Sequence, residues 1–171
     1  MPNLREPEFD EPRTHPGFAC RRARLGHQLA TERVGVSLWE LPPGEAAYPY
    51  HFHLGEEEVL IVLEGTPHLR TPAGWSVLPE GEVVAFPTGP DGAHQLDNRT
   101  GATVRFLAVS THGMPEVTVY PDEDKVGEWR YVNRMPRHEM SWVEKTAQVQ
   151  QVGVSDVENG EIVPLASAGL L

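Results

Sequence analysis

The chain contains almost no cysteine and no long apolar run. Cys20 is the single cysteine among 171 residues, so an internal disulfide framework is excluded. No stretch approaches the roughly 18 apolar residues that a membrane helix requires. Residues 1–18 are polar and rich in proline, and they lack the apolar segment of a secretory signal. These absences lead us to expect a cytoplasmic protein that does not associate with membranes.

Positive charge is also scarce. The sequence holds 14 Lys and Arg residues against 25 Asp and Glu, which gives a net charge of −11. An acidic protein repels phosphate backbones, so we expect no nucleic-acid partner. The local basic cluster consists of Arg21, Arg22 and Arg24. Because this cluster is short, we interpret it as a solvated surface.

Four residues carry most of the functional information, and they are His51, His53, Glu58 and His94. Side chains alternate faces along a strand, so His51 and His53 point to the same side. Glu58 opens an apolar run on the next strand and can return toward the same point. His94 comes from a later segment, so its participation is inferred and is not forced by local geometry. Imidazoles and carboxylates are usual ligands of first-row transition metals, and the pattern predicts one metal ion.

The spacing of these residues resembles the two motifs of the cupin superfamily, G-x5-H-x-H-x3,4-E-x6-G and G-x5-P-x-G-x2-H-x3-N. Six residues separate Gly44 from His51 where the pattern has five, and four separate Gly89 from His94 where it has two. The remaining spacings fit the pattern. Both departures lengthen turns, where insertions are tolerated. The resemblance covers residues 34–120 and implies an all-β jelly-roll, or double-stranded β-helix, barrel with a metal inside.

Two neighbouring acidic residues, Glu56 and Glu57, compete with Glu58 for the carboxylate role. The motif spacing to Gly65 favours Glu58. Glu57 shares strand parity with Val59, so we expect its side chain to face the other way.

The domain organisation follows from the extent of these motifs. Residues 34–120 are expected to form the barrel, with roughly eight to ten short strands separated by Gly and Pro turns. Residues 1–33 are predicted to be an N-terminal extension that packs on the barrel, and 21–33 suit either a short helix or an extra strand. Residues 121–171 are predicted to be a partly ordered C-terminal extension, with weak helical character over 141–151.

The ligand set leaves the metal coordinatively open. Three imidazoles and one carboxylate fill four positions, and an ion that prefers five or six ligands keeps room for substrate or dioxygen. A structural zinc would more often use several thiolates, and this chain has a single cysteine. The resemblance implies iron, manganese, zinc or nickel. We expect a small-molecule metalloenzyme, with dioxygenase chemistry slightly favoured over isomerase or lyase chemistry. The alternative is a non-catalytic, metal-dependent protein that binds or senses a small molecule.

Further pocket residues are suggested by position alone. Tyr48, Tyr50 and Gln95 lie next to the ligands in sequence, although alternation turns some of these side chains away from the ion. His68 shares a strand face with Arg70, and we favour the outward orientation for both. A homodimer is expected from the resemblance and from the prevalence of two-fold oligomers.

Overall fold

The chain folds almost entirely into short strands. The computed structural model describes residues 1–112, 116–131, 138–144, 153–156 and 161–164. The elements are β1 (Arg21–Ala23), α1 (Leu25–Gln28), β2 (Val34–Leu41), β3 (Phe52–His53), β4 (Glu58–Glu64), β5 (His68–Thr71), β6 (Gly74–Val77), β7 (Val83–Phe86), β8 (Gln95–Asp97), β9 (Val104–Thr111), β10 (Glu116–Tyr120), β11 (Lys125–Tyr131), β12 (His138–Glu144), β13 (Gly153–Asp156) and β14 (Glu161–Pro164). Within these ranges, no helix has the length and apolar character needed to cross a membrane.

The strands pair antiparallel in four sheets. A five-stranded sheet has the order β1-β2-β9-β4-β7, and a four-stranded sheet has the order β12-β11-β10-β3. A three-stranded sheet, β6-β5-β8, and the β13-β14 pair complete the set. The predicted all-β jelly-roll fold is confirmed. Because β1 pairs with β2, the N-terminal segment contributes a strand to the main sheet.

The hydrophobic core lies between the five-stranded and three-stranded sheets. One cluster of buried side chains includes Trp39, Leu60 and Phe106 from the first sheet with Leu69 and Leu96 from the second. The alternation of each strand places these residues on the inner face. The other face of the five-stranded sheet carries a second cluster, made of Ala23, Leu25 and Leu38 with Phe9 packed against it. The N-terminal residues therefore cover the outside of the sheet while its inside remains available for a site.

Several strand predictions need correction in detail. The segment 21–33, for which a helix and a strand were both open, contains both, as β1 and α1. The strand expected over 48–53 shortens to Phe52–His53, because Pro49 has no amide hydrogen to donate to a ladder. The helical character expected from residue 141 is wrong for 141–144, which belong to β12. Residues 145–151 lie outside the described residues.

Candidate metal site

Two distant parts of the chain meet at His51 and His94. Their backbones form an isolated antiparallel bridge, in which each amide donates to the carbonyl of the other at 3.0 and 2.8 Å. Their ring centroids lie 4.5 Å apart. The bridge therefore brings the two sequence motifs together at the level of the backbone, before any side-chain contact.

The longer turn before His94 is an ordered structural element. Gly89 adopts a φ of 84° and donates its amide to the His53 carbonyl at 2.7 Å. Residues Pro90–Gly92 then form a 3₁₀ turn closed by a bond from the Gly92 amide to the Gly89 carbonyl at 3.0 Å. The extra residues thus make a compact turn that is tied to the first motif, and His94 still faces His51.

Glu58 stands at the point where the imidazoles converge. Its Oε2 atom lies 3.3 Å from Nε2 of His53 and 3.2 Å from Nε2 of His94. Donor atoms of His51, His53 and Glu58 all lie within 4.8 Å of one another. The structure therefore brings all four predicted ligands to one place, with His94 joined to the group through the Glu58 carboxylate.

The three imidazoles are held in one orientation by their Nδ1 atoms. Nδ1 of His51 donates to the Pro49 carbonyl at 2.8 Å, and Nδ1 of His94 donates to the Gly92 carbonyl at 2.9 Å. Nδ1 of His53 faces a carboxylate oxygen of Glu116 at 2.8 Å. These bonds occupy the three Nδ1 atoms, so each ring presents its Nε2 atom to a cation, and binding of the cation displaces the Nε2 proton of a ring that is protonated.

A buried nitrogen of His53 indicates that this site needs a cation. Nε2 of His53 is buried and lies 3.3 Å from Glu58 Oε2, but it makes no hydrogen bond within the described part of the chain. A buried ring nitrogen without a hydrogen bond is costly in a folded protein, and a metal ion between the imidazole and the carboxylate would satisfy it. The donor set of imidazoles and one carboxylate suits a divalent transition metal. The residues present therefore fit the ion that the sequence predicts.

Glu116 was missed by sequence reasoning. Its side chain is 2 % exposed, and it accepts bonds from His53 Nδ1 at 2.8 Å and from the Gly55 amide at 2.9 Å. A carboxylate behind a ligating histidine fixes the ring orientation and raises its basicity. The available signal was a charged residue at the start of an alternating strand, in phase with the inward Thr118 and Tyr120.

The charges of the site are strongly coupled. Burial, and then the neighbouring His94 and His53, lower the pKa of His51 to about 3. Burial disfavours the imidazolium of His53, but Glu116 and Glu58 outweigh it and raise the pKa to about 10. Burial likewise opposes ionisation of Glu58, yet His53 and His94 hold its pKa well below the usual range. The Glu58 carboxylate thus stays charged, and the site favours a cation beside it.

A second cluster of possible donors shares His53 and adds Glu56 and Glu116. This second cluster suits a metal less well, because both Glu116 oxygens already accept hydrogen bonds. One of those bonds comes from Nδ1 of His53 and the other from the Gly55 amide. Glu56 is left as a carboxylate in the cavity lining. Burial, reinforced by the charge of Glu116, raises its pKa to about 7.

A cavity of about 340 Å³ opens onto these ligands. Its lining includes Tyr48, one of the residues suggested by position. The described lining does not include Tyr50, His68 or Gln95. The Tyr50 ring instead stacks with the Arg70 guanidinium, 4.0 Å from its centroid. Arg70 also pairs with Asp122 on the outer side of the three-stranded sheet.

The cavity lining includes a residue that the sequence assigned to solvent. Arg22 lines the cavity together with the candidate ligands, so the expectation of a solvated surface is wrong for this residue. Arg21 is exposed and pairs with Glu40, and Arg24 is exposed and pairs with Asp10, as that expectation requires. Alternation along β1 separates Arg22 from Arg21 and directs it to the inner face.

We expect Glu116→Gln to lower the affinity for Zn²⁺ by about 10- to 100-fold while the fold is kept. A glutamine offers one acceptor oxygen, whereas two donors, His53 Nδ1 and the Gly55 amide, now share the carboxylate. Competition with a chromophoric chelator measures the change. Glu123→Gln, at an exposed ion pair with Lys125, is the matched control. Equal affinities for the two variants would remove Glu116 from the site.

Comparison with known proteins supports the fold. The cupin domain family model matches residues 37–110. A sugar phosphate isomerase of the cupin superfamily from Silicibacter pomeroyi is 27% identical, with a TM-score of 0.73 over 85% of this chain and 92% of that chain. A provisionally named sugar phosphate isomerase from Acidithiobacillus ferrooxidans is 26% identical, with a TM-score of 0.67 over 78% of this chain and 83% of that chain.

More distant similarity extends only to the fold. A predicted oxalate decarboxylase from Thermotoga maritima is 21% identical, with a TM-score of 0.55 over 65% of this chain and 97% of that chain. No curated protein sequence matches the chain significantly. Both sequence motifs, the jelly-roll strand order and the family match lead to one assignment, which is that residues 37–110 of this chain form a cupin domain.

Proposed function

We propose that this protein is a metal-dependent cupin enzyme that holds one divalent transition-metal ion through His51, His53, Glu58 and His94. The observation that carries the proposal is the fixed orientation of the three imidazoles, whose Nδ1 atoms are all engaged. A bound ion supplies Lewis-acid polarisation of a carbonyl or hydroxyl oxygen. The adjoining cavity has the volume for a small organic substrate.

Isomerase or lyase chemistry on a small hydroxylated carbonyl compound is the reaction class that we favour. Two solved structures with 26% and 27% identity carry the name sugar phosphate isomerase, which supports this choice. Dioxygenase chemistry, slightly favoured by the sequence, requires the same ligands. The ligands therefore do not distinguish the two reaction classes, and a measurement of dioxygen uptake and product formation does.

The cavity walls supply the other functions that such a reaction needs. Phe86 stacks on the His94 ring with centroids 3.8 Å apart, and Tyr120 stacks on His51 at 5.6 Å. These rings hold the imidazoles in place and limit the access of water. Glu56 is the carboxylate of the lining that makes no hydrogen bond or ion pair with a histidine among the described residues, and we assign it to proton transfer.

The test combines metal analysis with a substrate panel. We expect the purified protein to contain about one divalent transition metal per chain and to interconvert aldoses and ketoses, or their phosphates, without dioxygen uptake. The double variant His51→Ala/His94→Ala should fold, lose the metal and lose activity. Dioxygen consumption with bound iron would support a dioxygenase instead. Tight ligand binding without turnover would support a binding or sensing protein.

We also propose that the protein forms a homodimer. Light scattering on a size-exclusion column measures the molar mass of the protein in solution. A molar mass near twice the 19.0 kDa of the chain supports the dimer, and a mass near 19.0 kDa contradicts it.

A further inference from the structure

Arg22 is a cation in the lining of the cavity. Its neighbours Arg21 and Arg24 lie within ion-pair distance of Glu40 and Asp10. No carboxylate of the described residues lies within that distance of the Arg22 guanidinium. Burial lowers the pKa of Arg22, which reflects the cost of keeping this charge away from water.

The guanidinium is nevertheless fixed in position. Nε and Nη2 donate to the hydroxyl of the buried Ser37 at 3.0 and 2.9 Å. The Cζ atom lies 4.6 Å from the centroid of the Trp39 ring, against which the guanidinium stacks. These contacts occupy one edge of the group and leave Nη1 without a partner among the described residues. A planar guanidinium held in this way is suited to an oxyanion.

The inner face of the sheet connects this cation to the candidate metal ligands. Ser37 lies opposite Ala108 on β9, and Ala108 lies opposite Leu60 on β4, two residues after Glu58. The β2 and β4 backbones are therefore about 10 Å apart, since neighbouring strands are separated by about 4.8 Å. The residue between Ser37 and Leu60 is Ala108, whose small side chain lines the cavity. A molecule of a few carbon atoms can therefore contact both groups.

We propose that Arg22 binds the carboxylate or phosphate group of a small anionic substrate whose other end lies at the metal ligands. This inference rests on the proposed function for the identity of the substrate, whereas the anion site itself consists of Arg22, Ser37 and Trp39. It assigns a substrate-binding residue to the N-terminal strand β1, outside residues 37–110 that match the family model.

Three probes with a common carbon skeleton test the proposal. Isothermal titration with glycerol 3-phosphate, glycerate and glycerol compares a phosphate, a carboxylate and no anion. We expect the wild-type protein to bind at least one of the two anions about tenfold or more tightly than glycerol. In the Arg22→Gln variant, the affinity for that anion should fall to the affinity for glycerol. The better of the two anions identifies the head group.

Control variants separate charge, geometry and folding. Arg21→Gln changes the neighbouring arginine, which pairs with Glu40, and should leave anion affinity unchanged. Arg22→Lys keeps the charge without the planar fork and should bind the anion with intermediate affinity. Circular dichroism verifies the fold of each variant. If Arg22→Gln does not fold, a wild-type affinity in Arg22→Lys still overturns the role of the guanidinium.

Titrations with metal-free and metal-loaded protein distinguish this proposal from the proposed function. If the wild-type protein binds no metal but binds an anion through Arg22, the metal-enzyme proposal fails and the anion site stands. If metal binds normally and Arg22→Gln binds both anions as the wild type does, the anion site is wrong. The same conclusion follows if the wild-type protein does not distinguish the anions from glycerol.

Discussion

Glu58→Gln is expected to lower the affinity for Zn²⁺ or Mn²⁺ by at least about 100-fold, a larger loss than that from a residue behind the ligands. The carboxylate is the one anionic donor of the proposed set, and its Oε2 lies within 3.3 Å of two imidazole nitrogens. Glutamine has nearly the same shape and no charge, so three neutral imidazoles would remain to hold a divalent ion. Chelator competition measures the affinity, and circular dichroism verifies that the metal-free barrel is folded.

Two adjacent carboxylates provide the controls. Glu57 is exposed, so Glu57→Gln should retain wild-type affinity. Glu56 belongs to the second cluster of possible donors, and Glu56→Gln should reduce turnover while metal affinity stays within about threefold of the wild type. If Glu56→Gln loses the metal and Glu58→Gln retains it, the ion is held by the Glu56 and Glu116 set and our ligand assignment is wrong.

Local periodicity accounts for the part of the site that the sequence could predict. His51 and His53 differ by two positions, and strand alternation is enough to place them on one side. The apolar run after Glu58 predicts a strand that starts at this residue, as β4 does. The fold follows from the same pattern of short alternating segments and turns. These features depend on residues that are close together in the chain, so the sequence is enough to predict them.

Glu116 and Arg22 depend on long-range pairing and could not be located in this way. Glu116 reaches His53 because β10 pairs with β3, which joins residues more than sixty positions apart. Arg22 enters the cavity because β1 pairs with β2 opposite Trp39. Neither pairing leaves a spacing signal in the sequence, and a shift of one residue in register would reverse both side chains.

Proline explains the limits of alternation near the ligands. A regular strand through residues 48–53 would place the side chains of Tyr48 and Tyr50 on the same face. The structure interrupts the strand at Pro49, and Tyr48 lines the cavity while Tyr50 stacks with Arg70. The Pro49 carbonyl then accepts the bond from His51 Nδ1. The interruption of the strand at Pro49 therefore orients His51, and an argument from regular strand alternation does not predict it.

Gly92→Ala is expected to destabilise the protein by about 1–3 kcal/mol and to lower metal affinity by at least about tenfold. A Cβ atom at this position would overlap the Pro87 carbonyl oxygen, so the backbone of the turn must move. The Gly92 carbonyl also accepts the bond from His94 Nδ1 at 2.9 Å. Movement of the turn thus disturbs the orientation of His94 even where the barrel remains folded.

The matched control for this substitution is Gly101→Ala. A Cβ atom there would meet nothing within 4 Å, and Gly101 is exposed in the turn before β9. Thermal unfolding of the metal-free proteins measures the packing cost, and chelator competition at a temperature where both are folded measures the metal affinity. If Gly92→Ala matches Gly101→Ala in both measurements, the longer second-motif turn does not position His94. If stability falls and metal affinity does not, the turn contributes to folding alone, because the bond from His94 to the Gly92 carbonyl is then not needed to hold the ring.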